Sequence, residues 1–319
     1  MAKLTVIIPY YQKEPGILRR ALSSVFAQNF KGFDIIVVDD ESPYPADGDV
    51  IGFSEEERAR LRIVRQENAG PGGARNTGLD HVSGQTELVA FLDSDDTWTP
   101  DHLGDAVRAM SQFDANCYFA SITGSDAFYY HFGVADLEKT EPVVRLSDDP
   151  QLIEIPGLTQ VMLKNWSFLH LSAMVIGRPL IDHVRFDAAL RLAAEDVLFF
   201  CDCVLAARRV VLSANAGAVR GEGLNIFHGV DNDSPQFLRQ QFNTWVALDR
   251  LEQRFAEHPV EIASLRSYKQ TARRQALWSQ ARRVRRRKLP QFDMLARWAV
   301  RDPRLFTSVF ELAVGKLSR

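Results

Sequence analysis

Three carboxylates crowd into the four residues Asp93-Ser94-Asp95-Asp96, directly after the apolar run Leu88-Val89-Ala90-Phe91-Leu92. A short apolar run of this kind reads as a buried strand, which puts the carboxylates together at its C-terminal edge. Like charges this close cost free energy unless a cation or hydrogen-bond donors hold them. Hard oxygen ligands suit Mg2+ or Mn2+, and those ions keep positions open for the phosphates of a substrate. The expectation is therefore a metal–diphosphate site. Two further acidic groups stand out. Asp39-Asp40-Glu41-Ser42 closes the apolar run 34–38, and Glu195-Asp196 precedes Val197-Leu198-Phe199-Phe200, where taken alone it reads as the cap of a helix. The segment from Gly70 to Gly78 lacks the Gly-Lys-Ser of a phosphate loop. Its small residues let a helix approach a sheet closely and leave Arg75 to meet a nucleotide or the nearby aspartates.

The elements that must position these residues alternate in the first hundred positions. Leu4 to Ile8 reads as a central strand stopped by Pro9, and Leu18, Leu22, Val25 and Phe26 share one face of a helix from Ile17. Asp34 to Val38 is a second strand, Ser54-Glu55-Glu56-Glu57 a capping box, Leu61 to Val64 a third strand, and Leu88 to Leu92 a fourth. Strands alternating with helices predict a parallel sheet covered on both faces, with ligands beyond the carboxyl ends of its strands. Pro9-Tyr10-Tyr11, Asp39-Asp40 and Asp93-Ser94-Asp95 all fall on that edge. Thr99-Pro100 predicts a helix over 100–113, with Thr99 as its cap. Residues 116–180 read as a second, mixed sheet, and 210–212 and 218–219 as short strands. Helical periods dominate from Gln236.

The chain has 319 residues and a net charge of −3, which hides an asymmetry. Residues 239–319 carry 18 Lys+Arg against 7 Asp+Glu, which leaves 20 against 34 for residues 1–238. Two surfaces with different jobs follow. No apolar run is long enough to cross a bilayer, and Leu4 to Ile8 is too short for an export signal. The three cysteines form no zinc pattern and point to a reducing cytoplasm, with Cys201 and Cys203 as small apolar residues of a helix.

The order of these pieces resembles the family-two glycosyltransferases, which have the GT-A nucleotide-diphospho-sugar fold. The resemblance covers residues 3–235. It rests on Val6-Ile7-Ile8-Pro9-Tyr10-Tyr11, on 35–42 with Asp39-Asp40-Glu41-Ser42, on Asn68-Ala69-Gly70 with Ala74-Arg75-Asn76-Thr77-Gly78, and on Phe91-Leu92-Asp93-Ser94-Asp95-Asp96. It is strongest to bacterial exopolysaccharide glycosyltransferases, the succinoglycan glucosyltransferases among them. The resemblance implies a mostly parallel α/β domain with a nucleotide-sugar half at 1–98, an acceptor half at 99–235, and a helical, basic extension at 236–319. Asp95 is then the metal ligand, and Asp93 and Ser94 contact the nucleotide-sugar. Asp40 accepts from N3–H of uracil while Pro9 and Tyr11 wall the base, and Arg75 is a further nucleotide contact. Asp196 is the catalytic base of an inverting transfer, with Glu195 beside it to orient it or touch the acceptor. Arg220 and His228 fall where relatives close a loop over the diphosphate, His228 as a second metal ligand. Trp166 and His170 are expected on the acceptor side.

The implied reaction moves glucose from UDP-glucose to a lipid-diphosphate-linked oligosaccharide, at the cytoplasmic face of the plasma membrane. The Gln-x-x-Arg-Trp motif of processive synthases is absent. Beside such an acceptor, the run Arg282, Arg283, Arg285, Arg286, Arg287, Lys288 is expected to meet an anionic leaflet rather than nucleic acid. Leu277, Trp278, Leu289 and Phe292 are placed to enter the interface. A nucleotidyltransferase that makes a nucleotide-sugar shares the sheet and the acidic site. It carries a glycine-rich basic loop near its N-terminus, where this chain has Pro9-Tyr10-Tyr11-Gln12-Lys13-Glu14. A non-catalytic scaffold or membrane adaptor would have no use for Asp93, Asp95 and Asp196 together.

Overall fold

The β-branched runs near the N-terminus become the centre of a sheet because they are buried on both faces and need a strand at each edge. The computed structural model describes residues 3–124, 133–165, 168–190, 194–221 and 231–308. Its strands are β1 (Leu4–Tyr10), β2 (Phe33–Asp40), β3 (Leu61–Gln66), β4 (Leu88–Phe91), β5 (Thr97–Trp98), β6 (Cys117–Thr123), β7 (Val144–Asp148), β8 (Gln151–Glu154), β9 (Met174–Gly177) and β10 (Val210–Val219). They form one mixed sheet in the order β3-β2-β1-β4-β9-β6-β10-β8-β7, with β5 paired to β10. β1 runs parallel to both β2 and β4, and β2 parallel to β3. The ends of β1, β2 and β4 therefore share one edge.

Two expectations about strands change. Pro9 does not stop β1, which continues to Tyr10. The ladder to β4 ends at Ile7 opposite Phe91, so Pro9 has a neighbouring strand only on the β2 side. A proline is tolerated in such an edge-like position. Residues 116–180 build no second sheet either. β9 is buried over all four residues and pairs antiparallel with β4 on one side and β6 on the other, which joins both halves into one layer. The two short strands expected over 210–219 are one strand, β10, with register shifts against β6.

Helices cover the sheet. Ile17–Phe26 buries Leu18, Leu22 and Val25 of the expected stripe together with Ala21, while Phe26 is half-buried at the edge of the core. Its N-terminus is held by Asp49, which accepts from the N–H groups of Gly16, Leu18 and Arg19. Helix Gly70–Asp80 lies so close to β1 that a Cβ at Gly78 would collide with Ile7. The helix expected over 100–113 is His102–Gln112, and Thr99 does not cap it. The Thr99 hydroxyl donates to the Ala216 carbonyl of β10 instead, at 2.9 Å. Helix Glu195–Ala206 packs Phe199 flat on Phe186, with Phe91 edge-on to both. Each such ring pair adds about 0.5–1.5 kcal/mol beyond its buried area. Cys201 and Cys203 are buried in this helix.

The described residues separate into two compact units, 3–190 with 196–221, and 231–308 with 194–195. The second consists of helices Pro235–Arg254, Pro259–Arg285 and Phe292–Arg301 around Leu238, Trp245, Ala272, Ala276, Trp298 and Leu305. No helix among the described residues is long and apolar enough to cross a membrane.

Candidate active site

At the carboxyl end of β2 the paired aspartates divide their work. Asp39 accepts from the N–H groups of Ser42 and Ala46, which folds the following loop back over the strand end. Asp40 accepts from Gln66 Nε2 at 2.6 Å, Ala69 N at 2.8 Å and Gly70 N at 2.9 Å, so it sits on the first turn of helix Gly70–Asp80. A carboxylate offers about four acceptor positions, so Asp40 keeps one for a further donor. Gln12 ties the β1 end to its neighbours. Its N–H donates to Ser42 Oγ at 2.7 Å and its side-chain amide donates to Ser94 Oγ at 3.2 Å. A cleft of about 420 Å³ opens at the ends of β2 and β3, lined by Asp39, Glu41, Ser42, Pro45, Arg65, Gln66 and Glu67. Pro9 is half-buried at its rung of β1, Tyr11 is exposed, and neither lines the cleft.

Beyond β4 the acidic residues are held by groups from far along the chain. Arg75, almost fully buried, donates to Asp93 Oδ1 at 2.6 Å. The Ser172 hydroxyl donates to Asp96 Oδ2 at 2.6 Å and accepts from the Asp93 N–H at 3.1 Å. The Ser172 carbonyl accepts from Trp98 Nε1, and its N–H donates to His170 Nδ1. Ser172 is thus bonded at hydroxyl, carbonyl and amide at once. Asp93, Asp96 and His170 present ligand atoms all within 4.8 Å of one another, a group able to hold a metal ion. Two carboxylates and an imidazole suit Mg2+ or Mn2+ better than a soft metal.

The electrostatics agree with a site short of positive charge. Burial pushes the Asp93 carboxyl up, but Arg75, His170 and Arg220 together outweigh it and hold the carboxyl below the usual carboxylate range. Asp96 is raised, chiefly by burial. Asp95 is pushed up to about 7, first by burial and then by the charges of Asp93 and Asp96. A divalent cation would favour the ionised forms of Asp95 and Asp96.

β5 pairs with the end of β10 and so brings residue 221 to the cluster. Gly221 donates its N–H to Asp96 Oδ1 at 3.0 Å, and a Cβ there would overlap the Asp95 carbonyl oxygen. Only glycine allows this approach. Asp196 lies at the N-terminal end of helix Glu195–Ala206, its Oδ1 accepting from Val197 N. In that helix Phe200 packs on Phe119 and the Cys203 thiol neighbours Cys117, so the helix runs antiparallel to β6. β6 and β4 both run antiparallel to β9, so Asp196 faces the same sheet edge as Asp93.

The chain's likenesses to known proteins agree with this geometry. The model of glycosyl transferase family 2 matches residues 5–174. The chain belongs to glycosyl transferase family 2. This family-two glycosyltransferase is 70% identical to the succinoglycan biosynthesis protein ExoW of Rhizobium meliloti (strain 1021), over all of both chains. It is 37% identical over 108 residues to the UDP-Glc:alpha-D-GlcNAc-diphosphoundecaprenol beta-1,3-glucosyltransferase WfgD of Escherichia coli, covering 34% of this chain and 40% of that one. The mannosyltransferase PcManGT from Pyrobaculum calidifontis, solved with GDP-Man and Mn2+, superposes with a TM-score of 0.56 at 18% identity. That superposition covers 99% of this chain and 87% of the other, and it shows the GT-A fold.

Several residues of this glycosyltransferase stand elsewhere than the sequence implied. His170, expected on the acceptor side, belongs to the acidic group, because the short turn Leu171–Ala173 leading into β9 carries it there. That group includes Asp93 and Asp96 but not Asp95, the implied ligand. Trp166 and His228 lie outside the described residues. Glu195 is half-buried beside Asp196. Gln12, Ser42, Ser172 and Gly221 were missed. Asp96 carried a signal as the third carboxylate of the run, whereas Ser172 and Gly221 carried none.

In the helical unit, half of the basic run has internal partners. Arg283 donates to the Asp233 carbonyl, while Arg286 and Lys288 pair with the buried Asp233 carboxylate at 3.0 and 3.1 Å. These residues fasten the end of helix Pro259–Arg285 to the turn before helix Pro235–Arg254. Arg282, Arg285 and Arg287 are exposed.

Proposed function

We propose that this glycosyltransferase moves glucose from UDP-glucose, with inversion, onto an oligosaccharide carried on a lipid diphosphate during exopolysaccharide assembly, at the inner face of the plasma membrane. The carrying observation is the group Asp93, Asp96 and His170 at the end of β4, braced by Arg75, Ser172 and Gly221. The likeness to the succinoglycan biosynthesis protein ExoW supports the pathway, and that to the UDP-Glc-dependent, diphosphoundecaprenol-directed glucosyltransferase WfgD supports the donor and the lipid diphosphate.

In this reading residues 1–98 hold the nucleotide-sugar, 99–235 the acceptor, and 236–319 an anionic membrane surface. The uracil sits at the carboxyl ends of β1 and β2, where Asp40 accepts from its N3–H and Pro9 and Tyr11 flank the base, next to the cleft lined by Asp39 and Gln66. Asp93, Asp96 and His170, with Asp95 beside them, would hold Mg2+ or Mn2+, and Ser94 contacts the diphosphate side of the donor. When bound there, the cation supplies Lewis-acid neutralisation of the departing diphosphate. Arg75 keeps Asp93 ionised and in place. Asp196 removes the proton from the acceptor hydroxyl as that oxygen attacks the anomeric carbon from the face opposite the leaving group. Glu195 orients Asp196, Trp166 contacts the acceptor, and His228 would be a further ligand of the metal.

The test is nucleotide release over a panel of nucleotide-sugars with a lipid-diphosphate-linked acceptor, followed by NMR of the product. UDP-glucose should be turned over in a cation-dependent way to a β-linked product. An α-linked product, or undiminished transfer in excess chelator, would overturn the reading.

A further inference from the structure

Helix Phe292–Arg301 carries an apolar arc wider than its core contact uses. Trp298 and Ala299 enter the core of the helical unit, with Met294 and Leu295 packed against it. Phe292, Ala296 and Val300 stand at i, i+4 and i+8, which places them in one row along the outer edge of that arc, all exposed. Phe292 is 68% exposed and Val300 84%, and Leu289, just before the helix, is 82% exposed. Single exposed apolar residues are ordinary, but a row of them marks an interaction surface.

The turn that presents Leu289 is built against local preference. Helix Pro259–Arg285 ends with Lys288 N–H donating to the Arg283 carbonyl and Arg287 N–H to the Val284 carbonyl. This is a Schellman ending, whose left-handed residue is usually glycine. Here it is Arg287, at φ 59°. A left-handed arginine carries backbone strain that glycine would avoid. Arg282, Arg285 and Arg287 form no ion pair among the described residues, and Arg297 is exposed beside the apolar row. Guanidinium groups flanking an apolar row are complementary to lipid phosphates over acyl chains.

We propose that Leu289 and the outer row Phe292–Val300 enter the interface of an anionic lipid bilayer, while Arg282, Arg285, Arg287 and Arg297 contact its headgroup phosphates. The inference rests on the reading of a lipid-carried acceptor and divides the basic run: Arg283, Arg286 and Lys288 hold the helix end, and the others hold the membrane. The strained Arg287 is kept because its charge lies at the surface rather than because the fold needs it.

The test is sedimentation of the full chain with vesicles of phosphatidylcholine and phosphatidylglycerol in equal parts, against pure phosphatidylcholine. Binding to the anionic vesicles only is expected. Arg287→Gly should weaken it roughly five-fold, as expected of one arginine at such a surface, while melting no lower than the parent. Leu289→Ser with Phe292→Ser should abolish the fraction that resists high salt. Binding unchanged in Arg287→Gly and in Arg282→Ser/Arg285→Ser would overturn the proposal. So would recovery on native membranes with none on protein-free vesicles, which would point to a protein partner. Nucleotide release with a water-soluble acceptor, measured on the same samples, reads sugar transfer apart from docking.

Discussion

Removing one hydroxyl should loosen the whole acidic cluster. In Ser172→Ala the Asp96 carboxylate loses its 2.6 Å donor and the Asp93 N–H loses its acceptor. Ser172 is wholly buried and Asp96 is 2% exposed, so water does not readily replace either bond. A hydrogen bond to a charged group contributes about 1.5–3 kcal/mol, and a buried N–H left unpaired costs about 1–3 kcal/mol. Allowing for relaxation, the expected loss is about 3 kcal/mol. In a unit of this size that lowers the melting temperature by roughly 6–12 °C. The lost donor also lets the already raised Asp96 rise further, which moves the acid limb of the pH–rate profile to higher pH. The assay is thermal unfolding of Ser172→Ala, Asp96→Asn and the double variant, with pH–rate profiles for the singles. A coupling of about 1–2 kcal/mol between the two substitutions is expected for groups in contact. A Ser172→Ala protein that melts with the parent, couples to Asp96→Asn by nothing measurable and keeps the parent pH profile would refute the bracing role.

Three further outcomes are expected. Gly221→Ala should displace the Asp95 carbonyl and lower transfer at least ten-fold while nucleotide binding in the Asp39 cleft stays within about two-fold; equal loss of both would show a general fold defect instead. Asp95, raised to about 7 when folded, contributes stability that is present below its unfolded value near 4 and is lost as pH rises through about 7. Calorimetry should therefore show Mn2+ raising the melting temperature more at pH 8 than at pH 6, and an equal rise at both would contradict it. Asp196→Asn should bind UDP-glucose as the parent does yet lose transfer by at least a hundred-fold, the range of one general base. Activity near the parent value would remove Asp196 from that role.

Much of the fold was legible because it rests on local pattern. Four short apolar runs alternating with helical periods predict parallel strands, three of them ending on one edge at Pro9-Tyr10, Asp39-Asp40 and Asp93-Ser94, and β1 pairs parallel with β2 and β4, and β2 with β3. The capping box at Ser54 and Glu57 and the stripe of helix Ile17–Phe26 are equally local. What failed was pairing across distance. β9 has the same apolar composition whether it starts a new sheet or completes the old one. Only the match of its two buried edges to β4 and β6 decides between them.

The sequence by itself determined that carboxylates would gather beyond the fourth strand, since that follows from a parallel sheet, and left Arg75 to a nucleotide or to those aspartates, between which the contact to Asp93 decides. It also determined that charge would separate along the chain. Only the tertiary structure decided which groups share a site. Ser172, His170 and Gly221 reach Asp96 across 76, 74 and 125 residues of chain. They arrive on a short turn, and on a strand end pulled in by β5, neither of which has a periodic pattern. The same holds for the basic run, whose six residues look alike in order and divide only because Asp233 folds back against three of them. Periodicity encodes which face a residue takes within its own element. Its partner across space is set by where the elements pack.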